Sequence, residues 1–271
     1  MAKKFNKKYF NVEDLAAYKQ AYGGVLDRRD YMKYVFLPGL GCLFYATIVL
    51  YRPVVSIIAF IIGLVYGWRV LMPKSIRKSY EQESFLQRNK FLNNMTQILT
   101  DDSKTLSQAL NLAKMRSKGE FRDVMTRLEA GLFGADIPQI QDVIGEVSDK
   151  YQDDVIFVQY MEQLETAAIE GRTNIDTLKD IKVYHNQMKK KQEEYEKRKK
   201  NHAKDMKTMM LFITIFIFAI SFSFGFKGYL SSFAHHSILG WLFGIPYLGL
   251  LWHLYHTFMR YMFDDSVVSM K

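Results

Sequence analysis

The stretch LFITIFIFAISFSFGF, residues 211–226, decides the fold class, because none of its residues carries a charge. A helix needs about 20 mostly apolar residues to cross a bilayer, and this uncharged run extends back to Met209. Core helices of soluble proteins seldom stay apolar around their whole circumference over such a length. The sequence therefore predicts a transmembrane helix at about 209–226.

Three other stretches have the same apolar character, at about 35–51, 53–72 and 238–258. Only Arg52 and Pro53 separate the first of these from the second, so the two must form a tight hairpin. The chain is therefore expected to be an all-α integral membrane protein with four transmembrane helices.

Positive charge is distributed unevenly among the connecting segments. The first 34 residues and the long middle segment are rich in Lys and Arg, whereas the two short connections contain only Arg52 and Lys227. Because cytoplasmic loops carry the excess of Lys and Arg, we expect both termini in the cytoplasm and the protein in the cytoplasmic (inner) cell membrane. The net charge of +9 reflects the same bias, so a nucleic-acid partner is not expected.

The single cysteine, Cys42, excludes an intramolecular disulfide and a cysteine-built zinc site. A signal peptide is not expected, because the charged lead is 34 residues long and a second span follows the first at once. The triplet Leu40-Gly41-Cys42 lies too far along the chain for a lipoprotein cleavage site. We interpret Cys42 as a buried residue of the first span.

The residues between the two hairpins have a helical pattern throughout. The predicted organisation is a basic cytosolic segment at 1–34, a hairpin at 35–72, a cytosolic six-helix domain at 73–207, a second hairpin at 208–258 and a cytosolic tail at 259–271. Pro73 is expected to separate the second span from the first domain helix, at about 80–99. Five helices place apolar side chains on one face: Phe85, Leu92, Met95 and Leu99; Leu106, Ala109, Leu110 and Ala113; Phe121, Val124, Met125 and Leu128; Ile140, Val143, Ile144 and Val147; and Ile156, Phe157, Tyr160, Met161, Leu164 and Ala168.

The sixth helix is longer than the others. It begins near Asn174 and meets no Gly or Pro before Gly225, so its last third is the third span. A seven-residue repeat runs along it, formed by Ile181, Met188, Tyr195, His202 and Met209. The repeat can be a helix-pairing stripe, but the charged residues between its members favour a solvated helix stabilised by charge pairs about four residues apart.

The sequence contains no Gly-rich phosphate loop, Walker sequence or Rossmann fingerprint. We therefore expect no enzymatic activity, no catalytic residue and no cofactor. His253 and His256 have a spacing that can place two metal ligands on one helix face, and His235 and His236 are adjacent in a short outer loop. Hydrogen bonding is the favoured role for these histidines, and no metal is expected.

Three local patterns resemble one known family. MTQILTDDSKTLSQAL (95–110) resembles its helix, short break and Ser/Thr-Leu-x-x-Ala-Leu-like start, although Asp101 and Asp102 stand in the break. LEAGLFGADIPQIQDVI (128–144) resembles its central glycine turn, and ETAAIEGRTNIDTLKDI (165–181) resembles its last glycine-bearing turn. The matching positions are Leu106, Ala109, Leu110, Gly131, Gly134, Gly171 and Leu178. The family is the F domain of type II secretion and type IV pilus platform proteins, and the layout is most similar to its single-domain tight-adherence (Tad) branch.

The resemblance implies a non-enzymatic platform protein of a pilus or secretion machine. A cytosolic ATPase would engage it, and it would pass pilin-like subunits from the membrane lipid into a growing filament, acting with a second copy or a paralogue. The alternatives are a membrane-tethered scaffold or signalling protein and a small transporter. A transporter is disfavoured because the spans offer few polar residues, such as Thr214, Ser221 and Ser223. The lack of acidic residues in the spans argues against an ion pump or proton relay.

Two groups of residues are candidates for contacts. Asp101, Asp102, Asp153 and Asp154 form two acidic turns that can face a partner or, as we favour, cap helix N-termini. Gly63 and Gly67 in the second span, and Gly240 and Gly244 in the fourth, are four residues apart and allow helix backbones to approach closely. Packing within the chain is favoured over packing against a second copy or a pilin helix.

Overall fold

The computed structural model describes residues 12–101, 103–171, 174–231 and 238–264, and the regular elements in these ranges are helices. In chain order they are α1 (Val12–Gln20), α2 (Arg28–Tyr31), the π-helical turn π1 (Met32–Phe36), α3 (Leu37–Leu50), α4 (Pro53–Tyr66), the π-helical turn π2 (Gly67–Leu71), α5 (Met72–Leu99), α6 (Leu106–Met115), α7 (Gly119–Leu132), α8 (Ile137–Lys150), α9 (Val155–Glu170), α10 (Ile175–Ser223), α11 (Phe226–Tyr229) and α12 (Ile238–Met262). The all-α prediction is confirmed for this part of the chain.

The chain divides into two compact units. Among the described residues, the span unit comprises 26–77, 197–231 and 238–264, and the bundle unit comprises 12–25 and 78–196. The N-terminal helix α1 belongs to the bundle unit, where the backbone amide of Glu120 donates to the Ala21 carbonyl at 2.6 Å. The segment 1–34 is therefore not one structural piece, because its described residues are shared between the two units.

Within the described residues, four helices are long and apolar enough to cross a membrane: Arg28–Leu50, Pro53–Leu99, Ile175–Ser223 and Ile238–Met262. In the most apolar 18-residue stretch of each helix, at most 28% is buried inside the protein. Their remaining apolar side chains face outward, as a lipid environment requires. The prediction of a four-span membrane protein is confirmed at this level.

The first two spans form the expected tight hairpin. Tyr51 ends α3 in a left-handed backbone conformation with φ of 49°, and Arg52 is extended before Pro53 begins α4. Proline is favoured at the first helical position because its missing amide hydrogen would have no partner there.

The prediction that Pro73 ends the second span is wrong. The elements α4, π2 and α5 form one continuous helix of 47 residues, Pro53–Leu99. A proline inside a helix crowds the carbonyl four residues earlier, and for Pro73 that residue is Arg69, which lies in the wider turn π2. The first span repeats this arrangement, because Pro38 follows π1 and Tyr34 lies within π1. Each π turn thus accommodates the proline that follows it.

The core of the bundle unit is built from the apolar faces predicted for α5 to α9. The rings of Phe121, Phe157 and Tyr160 surround Phe91, with centroid separations of 5.6, 6.4 and 6.4 Å. Most predicted core residues are buried, and three are only partly buried: Leu106, Val143 and Ala168. Phe91 and Tyr151 are core residues that the sequence analysis did not identify.

The long sixth helix is confirmed as α10, which has 49 residues and is about 74 Å long. Of its seven-residue repeat, Ile181 packs against the bundle core, whereas His202 and Met209 are exposed. The fully buried polar residues of α10 are instead His185 and Lys199. The repeat therefore does not form a continuous buried stripe.

Candidate functional site

Four of the buried polar side chains of the bundle unit are joined by hydrogen bonds, and we call them the buried polar cluster: Arg88, Asn89, Asp154 and His185. Arg88 and Asn89 come from α5, His185 comes from α10, and Asp154 immediately precedes α9. Their exposed fractions are 8% or less, and His185 is fully buried. Charged side chains are almost never buried unless they are paired, so the hydrogen bonds of this cluster decide whether the site is stable.

Asp154 is the centre of the buried polar cluster. Its Oδ2 accepts hydrogen bonds from Arg88 Nε at 2.7 Å and from His185 Nε2 at 3.3 Å. Its Oδ1 accepts from the backbone amide of Phe157 at 3.1 Å, which makes Asp154 the N-cap of α9. Burial alone would raise the pKa of this carboxyl, but the hydrogen bond from His185 and the charge of Arg88 outweigh burial and lower the pKa to about 2. Asp154 is therefore an ionised group in the protein interior at neutral pH.

The ring of His185 is held on three sides. The Asn89 amide nitrogen lies 2.9 Å from His185 Nδ1. Because that amide donates, Nδ1 accepts, and the ring hydrogen lies on Nε2, facing Asp154. The ring also stacks on Phe85, with centroids 4.8 Å apart and an interplanar angle of 16°. These contacts fix one tautomer of a buried histidine.

An amide ladder extends the cluster along the contact between α5 and α10. Asn186 Oδ1 accepts from Asn89 at 2.8 Å and from Asn93 at 2.9 Å, and Asn186 returns a bond to Asn93 Oδ1 at 2.9 Å. A buried ion pair is weak evidence for stability, but a displaced partner leaves an uncompensated charge. The cluster and its ladder therefore fix the register of α10 against α5 and α9.

The acidic turns are not equivalent in the structure. Asp154 caps α9, which confirms for this residue the capping role that the sequence analysis favoured, and its burial leaves no carboxylate surface for a partner. Asp153 is exposed, and Asp102 lies outside the described residues. Asp101 is exposed and accepts from the hydroxyl and backbone amide of Ser103, which lowers its pKa. It does not cap α6, because the N-cap there is Thr105.

The residues that carry the family resemblance lie at packing and turn positions. Four contribute to the bundle core: Leu106, Ala109, Leu110 and Leu178. A Cβ atom on Gly131 would lie 2.8 Å from the Val143 side chain, so this glycine lets α7 and α8 pack closely. Gly134 and Gly171 have φ of 69° and 66°, a left-handed conformation that favours glycine.

The glycines of the spans pack against the first span of the same chain. A Cβ atom on Gly63 would lie 2.8 Å from Gly39 Cα, and one on Gly67 would lie 2.5 Å from the Tyr34 carbonyl oxygen. A Cβ atom on Gly244 would meet the Leu50 side chain at 2.5 Å. The remaining glycine of the two motifs, Gly240, is buried.

The histidines of the fourth span have separate environments. His256 Nδ1 is 2.9 Å from the Tyr66 hydroxyl, an interhelical hydrogen bond of the favoured kind, and His253 is exposed. His235 and His236 lie outside the described residues. Among the residues that the structure does describe, no group of three or more His, Cys, Asp or Glu could hold a metal ion.

Sequence reasoning missed Arg88, Asn89 and His185. A signal for them exists on α5, where Ser84 and Arg88, and likewise Asn89 and Asn93, are four residues apart beside the predicted core face. The bonds that join them to Asp154 and to one another link residues 31 to 96 positions apart along the chain, so only the tertiary structure shows the pairing.

Comparison with known proteins gives one informative relationship. No family model matches the sequence, and no solved structure matches it. The chain is 47% identical over 270 residues to uncharacterized protein pXO2-23 of Bacillus anthracis, and the match covers 100% of this chain and 97% of that protein. The chain therefore belongs to the same protein family as pXO2-23 of Bacillus anthracis.

Proposed function

We propose that the chain is the non-enzymatic platform protein of a type IV pilus-like or type II secretion-like machine of the tight-adherence (Tad) type. The observation that carries the proposal is α10, which begins beside the bundle core, contains His185 of the buried polar cluster, and becomes apolar enough to cross a membrane. In F-domain platforms of this layout, two spans precede the helical bundle and two follow it, and the last helix of the bundle continues into the third span.

In this proposal the bundle unit and both termini lie in the cytoplasm, and the spans lie in the cytoplasmic membrane. A cytosolic assembly ATPase binds the bundle unit, and a second copy or a paralogue completes the platform. Displacement of the bundle reaches the bilayer through α10, because a continuous helix resists bending more than a loop does. The spans then contact pilin-like subunits as these leave the membrane lipid.

Two kinds of exposed side chain in the bundle unit suit a protein contact. Asp101 and Asp153 are exposed acids. Phe133 is 88% exposed and Ile137 is 53% exposed, on either side of the turn between α7 and α8. Exposed large apolar side chains mark interaction sites more often than exposed acids do, so Phe133 is the first position to test.

The orientation is tested by cysteine labelling of the full chain in cells. With Cys42→Ala as background, Phe133→Cys is treated with a membrane-impermeant maleimide before and after lysis. We expect labelling only after lysis, whereas Ser231→Cys, in the connection after the third span, is labelled in intact cells. Labelling of Phe133→Cys in intact cells would refute the cytoplasmic placement.

The partner is tested by photo-cross-linking in native membranes. A photoreactive amino acid replaces Phe133 or Asp153, and in the control it replaces Phe157, which is fully buried. We expect the exposed positions to cross-link an ATPase with a Walker sequence, and the control to give no such product. Cross-links to other proteins but to no ATPase would favour the scaffold alternative.

Coupling through α10 is tested by insertion after Lys200. A flexible Gly-Ser segment of about seven residues should abolish filament assembly and leave the ATPase cross-link intact. A helix-forming insertion of the same length adds two turns with little rotation and serves as the matched control. Filament assembly that survives the flexible insertion would contradict the mechanical role of α10.

A further inference from the structure

The span unit contains a partly open cavity of about 770 Å³ among α3, α4, α10 and α12. Its lining includes Lys33, Tyr34, Cys42, Tyr45, Trp252 and Tyr255. All of these residues belong to the span unit. The cavity therefore lies among helices that are apolar enough to cross a membrane.

The wall of the cavity is apolar along most of its length. Tyr45 offers its ring, because its hydroxyl is bonded to the Met210 carbonyl and the Thr214 hydroxyl, each at 3.1 Å. Among the described residues that line the cavity, Lys33 is the charged one. Apolar cavities do not hold water stably, so this space suits hydrocarbon.

The length of the cavity matches that of one lipid chain. The lining runs along the first span from Lys33 to Ala46, about 20 Å at the helical rise. Half of the hydrocarbon core of a bilayer is about 15 Å thick.

The charge at one end specifies the headgroup. The side chain of Lys33 is exposed, and its Nζ lies 5.1 Å from the centroid of the Tyr34 ring. A lysine at the end of a span extends its ammonium to the interface, where it attracts anionic lipid. The aromatic ring beside it is of the kind that lies at headgroup level.

We propose that this cavity binds one acyl chain of an anionic phospholipid, with the phosphate at the Lys33 ammonium. The lipid enters from the leaflet on the Lys33 side and fills the space among the four helices. The inference concerns the span unit alone and does not depend on the proposed platform function, so each can fail without the other.

Trp252 provides the test, because it lines the cavity and is one of three tryptophans in the chain. The full chain with Trp68→Phe and Trp241→Phe is reconstituted in phosphatidylcholine vesicles and titrated with brominated phosphatidylglycerol or brominated phosphatidylcholine. We expect brominated phosphatidylglycerol to reach half-maximal quenching of Trp252 at a lipid fraction about fivefold lower than brominated phosphatidylcholine does. A difference of this size is the effect of one lysine near an anionic headgroup. A variant that retains only Trp68, which is 44% exposed and does not line the cavity, reports on lipid outside the cavity, and filling the cavity should leave its quenching unchanged.

Two variants separate the headgroup from the chain. Lys33→Gln should remove the preference for phosphatidylglycerol and retain quenching by both lipids. Gly249→Leu should reduce quenching by both, because Gly249 lines the cavity and a Cβ atom there meets nothing within 4 Å. Equal quenching of Trp252 by the two lipids in the parent would overturn the headgroup assignment.

Native mass spectrometry of the detergent-solubilised protein identifies the occupant. We expect one retained phospholipid with an anionic headgroup, and a lower retained fraction for Gly249→Leu. A co-purified peptide in place of lipid, or retained lipid that Gly249→Leu leaves unchanged, would overturn the proposal.

Discussion

Replacement of Asp154 by Asn isolates the charge of the buried polar cluster from its shape. Asn has the same size and is an equally good N-cap, so α9 keeps the bond from the Phe157 amide. The substitution leaves the Arg88 guanidinium, whose side chain is 9% exposed, without its carboxylate. Removal of one partner from a buried ion pair costs about 3–5 kcal/mol. We therefore expect Asp154→Asn to destabilise the packing of α5, α9 and α10 by about 3 kcal/mol or more.

Hydrogen–deuterium exchange on the full chain measures this loss locally. Core amides exchange through openings whose free energy is the local stability, and a loss of about 3 kcal/mol corresponds to roughly 150-fold faster exchange in α9. Asp153→Asn, one residue away and exposed, is the matched control and should change exchange by about twofold or less. Exchange within about threefold of the wild type for Asp154→Asn would refute the assigned role.

A double variant distinguishes an unpaired charge from a loss of packing. Arg88→Met with Asp154→Asn removes both charges, and pairs replaced by neutral side chains often regain much of the lost stability. We expect exchange in the double variant to be slower than in Asp154→Asn alone. Additive losses would mean that the two charges are not coupled.

The same carboxylate predicts an acid transition. Its pKa falls from 3.8 to about 2 on folding, so the folded protein favours the ionised form by about 2 kcal/mol. This contribution is present above about pH 4 and is lost as the pH falls toward 2. Asp154→Asn should lack this pH-dependent component of stability. If the exchange rates of the wild type and of Asp154→Asn had the same pH dependence over this range, the prediction would be contradicted.

Two further predictions concern packing in each unit. Gly67→Ala places a Cβ atom 2.5 Å from the Tyr34 carbonyl oxygen, a backbone atom that cannot rotate away, so the midpoint of thermal unfolding in detergent should fall. The control is Gly145→Ala, where a Cβ atom meets nothing within 4 Å, and its midpoint should be unchanged or higher. Glu120→Gln weakens bonds from the Tyr80 hydroxyl and the Lys150 ammonium at a half-buried carboxylate; we expect a loss of about 1 kcal/mol, seen as roughly fivefold faster exchange at the start of α7.

The elements with strong periodicity could be predicted from the sequence. The apolar runs gave the four spans, and the absence of Gly and Pro between Asn174 and Gly225 gave α10. The apolar faces of α5 to α9 gave most of the bundle core, because residues three and four apart must share a face in any helix. These features depend on local geometry and are therefore present in the order of residues.

The candidate site could not be predicted, because it depends on distant pairings. Asp154 follows a short turn, as a helix cap should, and nothing in its local sequence indicates that Arg88 will reach it from 66 residues away. Its burial could not be anticipated, since an acid at a turn is normally exposed. The cavity lined by Lys33 and Trp252 has the same origin, because segments about 200 residues apart form its wall.

The error at Pro73 arose from a rule that holds for regular helices, and the phase of the second span shows why it failed. The buried glycines Gly63 and Gly67 are four residues apart, and a regular helix would next bury residues 71 and 74 or 75 on that face. The structure buries Leu71, Met72, Pro73 and Ile76 and leaves Lys74 exposed. The π turn supplies one extra residue, which rotates the following side chains by about 100°. The buried face therefore widens at Leu71 and Met72 and continues at Ile76, while Lys74 faces outward, so π2 lets one unbroken helix keep both its glycine contact and its apolar face.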